Sequence, residues 1–279
     1  MTDMAAAAPR GRLVPLLPAL ICTAVFIAAL SSLLVDSLVS GGTWSLQHYR
    51  RFVSDPVYFA YLLRSIRVGV FTTIGAIVVG YAMAYWMAHG SALVRRTLLL
   101  LTIFQFFTVT ITKVYAILLV LGNNGLINRA LIALGLRDTP LPLVNNELGV
   151  VIGLIAASLP FAVLPIFSTM MGMRMSLIEA AATLGANRMI VFRRIILPLS
   201  MPGVVAGAVL VFLYSLGGLI TPALIGGGFV DLIASFSYEQ ALLLSNPGFA
   251  AAGAVVTLSA AFLMVLGLEL VHRRLRREP

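Results

Sequence analysis

Residues 179–203 read EAAATLGANRMIVFRRIILPLSMPG, and their composition does not match the sequence on either side. Apolar runs precede and follow this stretch, at 148–173 and 204–224. The interruption between the two runs carries charges that are costly to place in lipid: Arg174, Glu179, Arg188, Arg193 and Arg194. We therefore expect this segment to lie against the face of a membrane-embedded domain.

Local signals predict that the segment forms two short helices joined by a turn. Ser176 and Glu179 fit an S-x-x-E capping box, which can open the first helix. Gly185 is expected to end that helix in a left-handed conformation, and Asn187 to cap the second one. Pro198 is expected to end the second helix, because proline lacks the amide hydrogen that an α-helix needs.

The composition of the whole chain predicts an all-α membrane protein. Of the 279 residues, 60% are hydrophobic and only 10% are charged. Runs long enough to cross a bilayer, about 20 residues each, fall at 13–35, 62–88, 97–121, 148–173, 199–224 and 250–271. They predict six transmembrane helices. The first run exceeds the apolar part of a signal peptide, about 7–15 residues, so an uncleaved helix is favoured over a signal peptide.

The placement of charge predicts the orientation of these helices. With both termini in the cytoplasm, the cationic residues of the inside segments are Arg10, Arg12, Arg95, Arg96, Arg174, Arg188, Arg193, Arg194, Arg273, Arg274, Arg276 and Arg277. The outside segments hold half as many: Arg50, Arg51, Arg64, Arg67, Arg129 and Arg137. This bias follows the positive-inside rule. The net charge of +9 therefore indicates membrane topology and not nucleic-acid binding.

This topology divides the chain into three parts. We expect a cytoplasmic tail at 1–12, a transmembrane domain at 13–271 that contains the loop at 174–203, and a basic cytoplasmic tail at 272–279. Arg64 and Arg67, at the mouth of the second helix, are expected to extend toward lipid headgroups. The outside segment at 222–247 carries three consecutive glycines, and it is interpreted either as a mobile gate or docking site or as a plain long loop.

No residue pattern in the chain indicates catalysis or a bound metal. The one cysteine, Cys22, lies in an apolar run, and the three histidines fall in separate segments. A nucleotide-binding Walker A loop needs a Gly-Lys pair, whereas the single lysine, Lys113, follows Thr112. No G-x-S-x-G or H-E-x-x-H sequence occurs. We therefore expect no catalytic residue, no metal site and no cofactor in this chain.

Helix-breaking residues suggest where a translocation pathway runs. Pro160 and Pro165 are expected to interrupt the fourth span, and Gly217-Gly218 with Pro222 the end of the fifth. Thr221, beside Pro222, is included among the candidate pathway residues. Irregular backbone at membrane depth is tolerated only against protein or a water-filled cavity. This predicts a pathway between the fourth and fifth helices, although ordinary packing also explains such residues.

Lys113 is the one cation expected deep within a span. Polar neighbours accompany it on the predicted third helix: Gln105, Thr108, Thr110 and Thr112. The separation of Gln105 and Thr112 would place them within two turns on one side of a helix. A charge in the membrane must face protein, substrate or water. Lining of the pathway, a packing role and contact with a partner subunit all remain open for Lys113.

The charged segment resembles the EAA loop of ABC importer permeases. The resemblance rests on an ordered set of residues that ends in Pro202-Gly203: Glu179, Ala180, Ala181, Gly185, Ala186, Phe192, Leu197 and Pro198. It implies that these residues form coupling helices seated in a cleft of a cytoplasmic ATPase, and that the chain has the type I importer permease fold. An ordinary cytoplasmic loop with two amphipathic turns is the alternative.

Further stretches are similar to the spermidine/putrescine-type branch of these permeases: GNNGLIN at 122–128, LPF at 159–161 with LP at 164–165, and TPAL at 221–224 with GGG at 226–228. The resemblance implies a bacterial cytoplasmic-membrane protein that works with a second homologous permease subunit, an ATPase homodimer that binds ATP and Mg, and an extracytoplasmic substrate-binding protein. Membrane lipid surrounds such a protein, and no nucleic acid is involved.

Two departures from that branch bear on the substrate. Gly217-Gly218 stands where polyamine permeases tend to carry an acidic residue, and Lys113 stands where an arginine is frequent. Glu269 is the only carboxylate that the predicted spans contain. The substrate is therefore expected to be a small polar solute, either polyamine-like or a related compound such as an opine-like conjugate or an organophosphonate. A stand-alone ion-coupled carrier is the alternative function, but it would need mid-membrane carboxylates or histidines.

Overall fold

The computed structural model describes residues 17–40, 42–183 and 185–277. The tail predicted at 1–12 and the last two residues of the basic tail lie outside this part of the chain, whereas 272–277 continue the last helix. The helices are α1 (Leu17–Leu38), α2 (Gln47–Ser54), α3 (Pro56–His89), α4 (Ala92–Phe107), α5 (Thr110–Leu121), α6 (Leu126–Ala133), α7 (Glu147–Met171), α8 (Met175–Thr183), α9 (Arg188–Val191), α10 (Leu197–Leu216), α11 (Ile220–Ile225), α12 (Ile233–Tyr238) and α13 (Pro247–Arg277).

One hairpin and two π-helical turns complete the secondary structure of the described residues. Strands β1 (Val39–Ser40) and β2 (Thr43–Trp44) form an antiparallel hairpin after α1. One π-helical turn, Phe192–Ile196, joins α9 to α10, and a second, Glu239–Leu243, follows α12. Residues 17–40, 42–183 and 185–277 are therefore all-α apart from one small hairpin, as the composition predicts.

Within the described residues, six helical segments are long and apolar enough to cross a membrane. They are Pro18–Leu38, Pro56–His89, Thr110–Ala133, Glu147–Met171, Arg188–Leu216 and Pro247–Leu270. The number of spans and the all-α membrane fold are confirmed. The boundaries of the third, fourth and fifth spans differ from the prediction in ways that affect the site.

The third predicted span, 97–121, does not form one helix. Helix α4 ends at Phe107 and α5 begins at Thr110, so Thr108 and Val109 are not helical. The break falls in a run of β-branched residues, 108–112, whose side chains crowd the preceding helical turn. Gln105 and Thr112 therefore lie on two different helices, and the prediction that they share one helical face is wrong.

The fourth span is continuous, which corrects the expected interruptions at Pro160 and Pro165. Helix α7 runs through both prolines. Pro160 cannot donate to the carbonyl of Ala156 one turn earlier. The side-chain amide of Gln105, on α4, donates a hydrogen bond to that carbonyl instead. A neighbouring helix thus supplies the donor that the proline lacks.

The fifth span begins earlier than predicted, because Pro198 does not end a helix. Helix α9, the first π-helical turn and α10 form one uninterrupted segment, Arg188–Leu216. Within the π-helical turn the amide of Leu197 bonds to the carbonyl of Phe192, five residues back. The changed hydrogen-bond register accommodates Pro198 in the first turn of α10. The predicted break at Gly217-Gly218 is confirmed, since helical structure resumes only at Ile220.

Helices α3, α7 and α10 form the centre of the bundle. Val68, Val163, Ile166 and Val211 are fully buried there. Close approach depends on small residues, because a Cβ atom at Gly203 of α10 would lie only 2.7 Å from the carbonyl oxygen of Pro165 on α7. Helix α13 packs against α10 and α1 packs against α13, so the first span lies at the periphery.

An ion pair and a buried hydroxyl hold together the end of the bundle that is predicted to lie outside. Arg67 on α3 donates from Nε and a terminal nitrogen to both carboxylate oxygens of Glu147 at the start of α7. The expectation that Arg67 extends to headgroups is therefore wrong. Ser65 accepts a hydrogen bond of 2.8 Å from the amide of Ile233, which fixes α12 on α3. The segment at 222–247, which is predicted to lie outside, is thus folded against the bundle.

Candidate functional site

The charged loop forms the predicted helix–turn–helix, with one correction at its start. Helix α8 begins at Met175, so Ser176 lies in its first turn and not at its N-cap. Gly185 has a φ of +80°, and the amide of Ala186 bonds to the carbonyl of Ala181 at 3.0 Å. These features match a Schellman C-cap. Asn187 caps α9 through a 2.8 Å hydrogen bond from the amide of Ile190.

Aromatic packing attaches this loop to α3. The ring of Phe192 meets Tyr81 at 5.9 Å between centroids and Tyr85 at 5.8 Å, both edge-on. Ala181 and Ala186 pack against the same buried cluster, which contains Met87 and Val163 among others. Three of the residues that the resemblance singled out thus hold the loop on the bundle.

The remaining residues of that set face away from the protein. Glu179, Ala180, Gly185, Leu197 and Pro198 are exposed. Glu179 is the only acidic residue between Gly149 and Gly228, and four arginines lie in that interval. The loop therefore has an inner face that anchors it and an outer face that is available to another protein.

The predicted pathway residues do not form one cluster. Gln105 and Pro160 are brought together through the carbonyl of Ala156, as described above, so the side chain of Gln105 serves helix packing. Thr112 is exposed. Thr221 is buried, and its methyl group would lie 3.0 Å from a Cβ atom at Gly153. Gly217 and Gly218 mark the break before α11.

Lys113 is half-buried in the first turn of α5. Its backbone amide bonds to Val109 at 3.2 Å, but within 17–40, 42–183 and 185–277 its ammonium group has no hydrogen-bond or ion-pair partner. A cation in this position needs water, substrate or another subunit.

A pocket of about 490 Å³ opens beside the break between α10 and α11. Its apolar wall includes Ile111 of α5 and residues of α11. Its polar wall comes from the segment after α11: Asp231, Ser235, Tyr238 and Glu239. Tyr61, at the outer end of α3, lies within electrostatic reach of both carboxylates and of Arg64. The pocket is therefore acidic and lies at the end of the bundle opposite to the charged loop.

Sequence reasoning missed Asp231 and Glu239 as site residues. They were interpreted only as parts of an outside segment, because no periodic pattern connects them to α5 or α11. The glycine run before them also contacts the loop that precedes α7. Gly227 has a φ of +58° and packs against the side chain of Asn145, whose amide bonds to the carbonyl of Ile225 at 2.7 Å. This turn fixes the direction in which Asp231 follows α11.

Six apolar helical segments and a charged, two-helix loop define the chain as a multi-pass membrane protein. A model of the family described as binding-protein-dependent transport system inner membrane component matches residues 76–277. The chain belongs to this family. It is a permease subunit of a binding-protein-dependent ABC importer in the inner membrane, and ATP hydrolysis is not its own activity. This membership favours the importer subunit over a stand-alone ion-coupled carrier.

Two similar proteins are polyamine permeases. The chain is 36% identical over 223 residues to the spermidine/putrescine transport system permease protein PotB of Salmonella typhimurium (strain SL1344), which covers 80% of this chain and 77% of that protein. It is 33% identical over 219 residues to PotB of Haemophilus influenzae (strain ATCC 51907 / DSM 11121 / KW20 / Rd), which covers 78% of this chain and 76% of that protein.

The fold is also found in a solved ABC transporter. A chain of the bacterial alginate ABC transporter, in complex with an alginate pentasaccharide-bound periplasmic protein, superposes with a TM-score of 0.75 at 15% identity. The match covers 94% of this chain and 93% of that one. At this identity the similarity establishes a shared fold and carries no information about substrate.

Proposed function

We propose that this chain lines half of the translocation pathway for a polyamine-like organic cation, and that it couples to a separate ATPase through its charged loop. The observation that carries the substrate class is the acidic pocket beside the α10–α11 break. Two of its polar lining groups are carboxylates, Asp231 and Glu239, and none is cationic. The names of the similar PotB proteins, spermidine/putrescine permeases, point to the same class.

The chemistry of the pocket suits an alkylammonium ion. A primary ammonium donates hydrogen bonds to carboxylates and interacts with the face of an aromatic ring, which Tyr238 offers. The methylene chain between two amines would lie along the apolar wall of α11. The volume, about 490 Å³, is within the range of small-molecule sites, roughly 300–1,000 Å³.

The pocket also bears on the two departures from the polyamine permeases, at Gly217-Gly218 and at Lys113. The carboxylates lie near the outer end of the bundle, so none is needed in the middle of a span. Ile111 lines the pocket, while Lys113, two residues later on α5, lies about 200° around the helix. An anionic organophosphonate would meet two like charges here, and this disfavours that alternative.

Coupling uses the outer face of the loop at 174–203. We infer that Glu179, Ala180 and Gly185 contact an ATPase dimer, which binds ATP and Mg in its own sites. A second permease subunit would complete the pathway, and an extracytoplasmic binding protein would deliver the substrate at the acidic pocket. This arrangement requires the loop to be cytoplasmic, as the positive-inside bias predicts.

The substrate is tested by uptake of labelled putrescine and spermidine into proteoliposomes that contain the complete importer. Asp231→Asn and Glu239→Gln remove the charges with little change of shape. We expect each variant to transport about tenfold less efficiently at limiting substrate, the effect of losing one charge-assisted hydrogen bond. Asp138→Asn is the matched control, because Asp138 is exposed and does not line the pocket.

The outcomes are distinct. Equal uptake by the pocket variants and the control would remove the pocket from the pathway. Uptake of an opine or a phosphonate in place of the polyamines would overturn the substrate class while leaving the importer assignment intact. Glu179→Lys tests coupling separately, since it should abolish substrate-stimulated ATP hydrolysis without changing the yield of the chain in the membrane.

A further inference from the structure

A second cavity, of about 440 Å³, lies at the end of the bundle that carries the charged loop. It separates the last turn of α3 from α9. Its walls are Tyr85, Trp86, His89, Gly90, Ala186 and Arg188, and its floor is formed by Val191 and Ile196, which are buried. Neither the translocation pathway nor the outer face of the loop uses this cavity.

The side chains that line this cavity are held in place. His89 and Tyr85 stack with ring centroids 4.5 Å apart, and Nδ1 of His89 lies 3.2 Å from the carbonyl oxygen of Tyr85. With both ring nitrogens protonated, Nδ1 donates to that carbonyl and Nε2 can donate to an anionic ligand. Tyr85 is fixed in turn by Phe192. The cavity therefore has a positioned imidazole at its edge.

The charge around the cavity is positive. Arg188 is exposed and has no ion-pair partner among residues 17–40, 42–183 and 185–277. Arg95 lies nearby but is already engaged, because it donates to the carbonyls of Met87 at 3.0 Å and Ala88 at 3.4 Å at the end of α3. The guanidinium of Arg188 is thus available to bind an anionic ligand in this cavity.

The depth of the cavity indicates where that ligand comes from. One apolar segment ends at His89 and another begins at Arg188, and a cavity between the ends of two spans would open at the level of the lipid headgroups. Trp86 is 62% exposed at this level. Exposed tryptophans at the ends of spans are typical of the membrane interface, where the ring contacts the glycerol region of lipids. A ligand here meets a cation and an aromatic wall together.

We propose that this cavity binds the phosphate headgroup of an anionic phospholipid. Arg188 and His89 bind the phosphate oxygens, and Trp86 packs along the glycerol and the first acyl carbons. The bound lipid connects α3 to α9, directly behind the turn at Gly185. Occupancy of this site therefore stabilises the position of the charged loop relative to the bundle. This inference does not depend on the identity of the transported substrate.

The test measures lipid binding to the purified permease by native mass spectrometry, with phosphatidylglycerol compared with phosphatidylcholine. Arg188→Gln should weaken phosphatidylglycerol binding about tenfold, the change that corresponds to one lost hydrogen bond to a charged group. Arg188→Lys should retain most of the affinity. Arg96→Gln is the matched control, because Arg96 is exposed at the same end of the bundle and does not line the cavity.

Trp86→Leu provides a second, charge-neutral test. It should lower the affinity for phosphatidylglycerol while leaving the preference over phosphatidylcholine in place. Equal binding of the two lipids, or equal losses in Arg188→Gln and Arg96→Gln, would overturn the proposal. Displacement of the lipid by millimolar inorganic phosphate would also overturn it, because the site would then recognise a free anion. Since no step requires uptake, these results are independent of the polyamine experiment.

Discussion

At the scale of single residues, the pairing of Pro160 with Gln105 explains how a proline persists in the middle of a membrane helix. In lipid, an unpaired backbone carbonyl costs several kcal/mol. The side-chain amide of Gln105 satisfies the carbonyl of Ala156 that Pro160 leaves without a donor. Both residues were predicted to line the pathway. The sequence does not show that the amide of Gln105 replaces the donor that Pro160 lacks, because the two residues lie on different helices.

This compensation predicts a double-mutant cycle. Gln105→Leu should lower the free energy of unfolding by about 1–3 kcal/mol, because it leaves a buried carbonyl unsatisfied. In a Pro160→Ala background the same change should cost much less, since alanine at 160 restores the backbone donor. Thermal unfolding of the detergent-solubilised protein measures both effects. Thr108→Val is the control, because that hydroxyl donates to the carbonyl of Phe104, four residues earlier, and contacts no other helix through this bond. Equal costs in the two backgrounds would contradict this role for Gln105.

Lys113 gives a second prediction at this scale. Replacement by Met keeps the length of the side chain and removes its charge. If the ammonium group faces the pathway of a cationic substrate, its removal takes away a like charge, so polyamine uptake should rise, while the complex assembles and basal ATP hydrolysis persists. Uptake and the yield of intact complex are measured together. A loss of yield would show instead that Lys113 contacts the partner subunit, and no change in either would mean that it reaches the lipid surface.

At the scale of elements, the sequence predicted correctly those caps and turns that are formed by residues close together in the chain. The left-handed Gly185 and the Asn187 cap depend on nearby residues, and both were predicted. The break between α4 and α5 has no proline or glycine, and it depends on a β-branched run that many buried helices tolerate. Pro198 was expected to stop a helix because the π-helical turn that accommodates it leaves no recognisable pattern in the sequence.

The turn at Gly185 predicts a sharp difference between two substitutions. A Cβ atom at this position meets no heavy atom within 4 Å, so any effect of a substitution comes from the backbone. Gly185→Val should destabilise the turn by about 1–2 kcal/mol, because a β-branched residue resists a φ of +80°. Gly185→Asn should be tolerated. Substrate-stimulated ATP hydrolysis distinguishes them, and equal activity of the two variants would contradict a strict requirement for this conformation.

At the scale of the whole molecule, α3 connects the two functional ends. Its first turns carry Tyr61 and Ser65 beside the acidic segment, and its last turns hold Phe192 through Tyr81 and Tyr85. The sequence was sufficient to predict six spans and the segment that interrupts them. The acidic pocket was not predictable, because it is formed by α5, α11 and α12, which meet only in the folded bundle.

The orientation of this bundle is a prediction that can be tested directly. A reporter inserted at Asp138, which is exposed in the segment between α6 and α7, should be active outside the membrane. A reporter fused after Arg273 should be active in the cytoplasm. Paired alkaline phosphatase and green fluorescent protein fusions measure the two locations. A cytoplasmic result at Asp138 would place the charged loop on the wrong side for an ATPase.

The π-helical turn at Phe192–Ile196 has a geometric consequence. A turn that contains one extra residue shifts the angular phase of everything after it by about 100° relative to a regular α-helix. The direction in which Arg188 and Val191 point is therefore set independently of the face that α10 presents to α7. Deletion of Ile195 would restore regular winding and rotate the loop around the helix axis, while the span remained seated. The number of residues in this one turn therefore sets the rotation of the loop about the axis of α10.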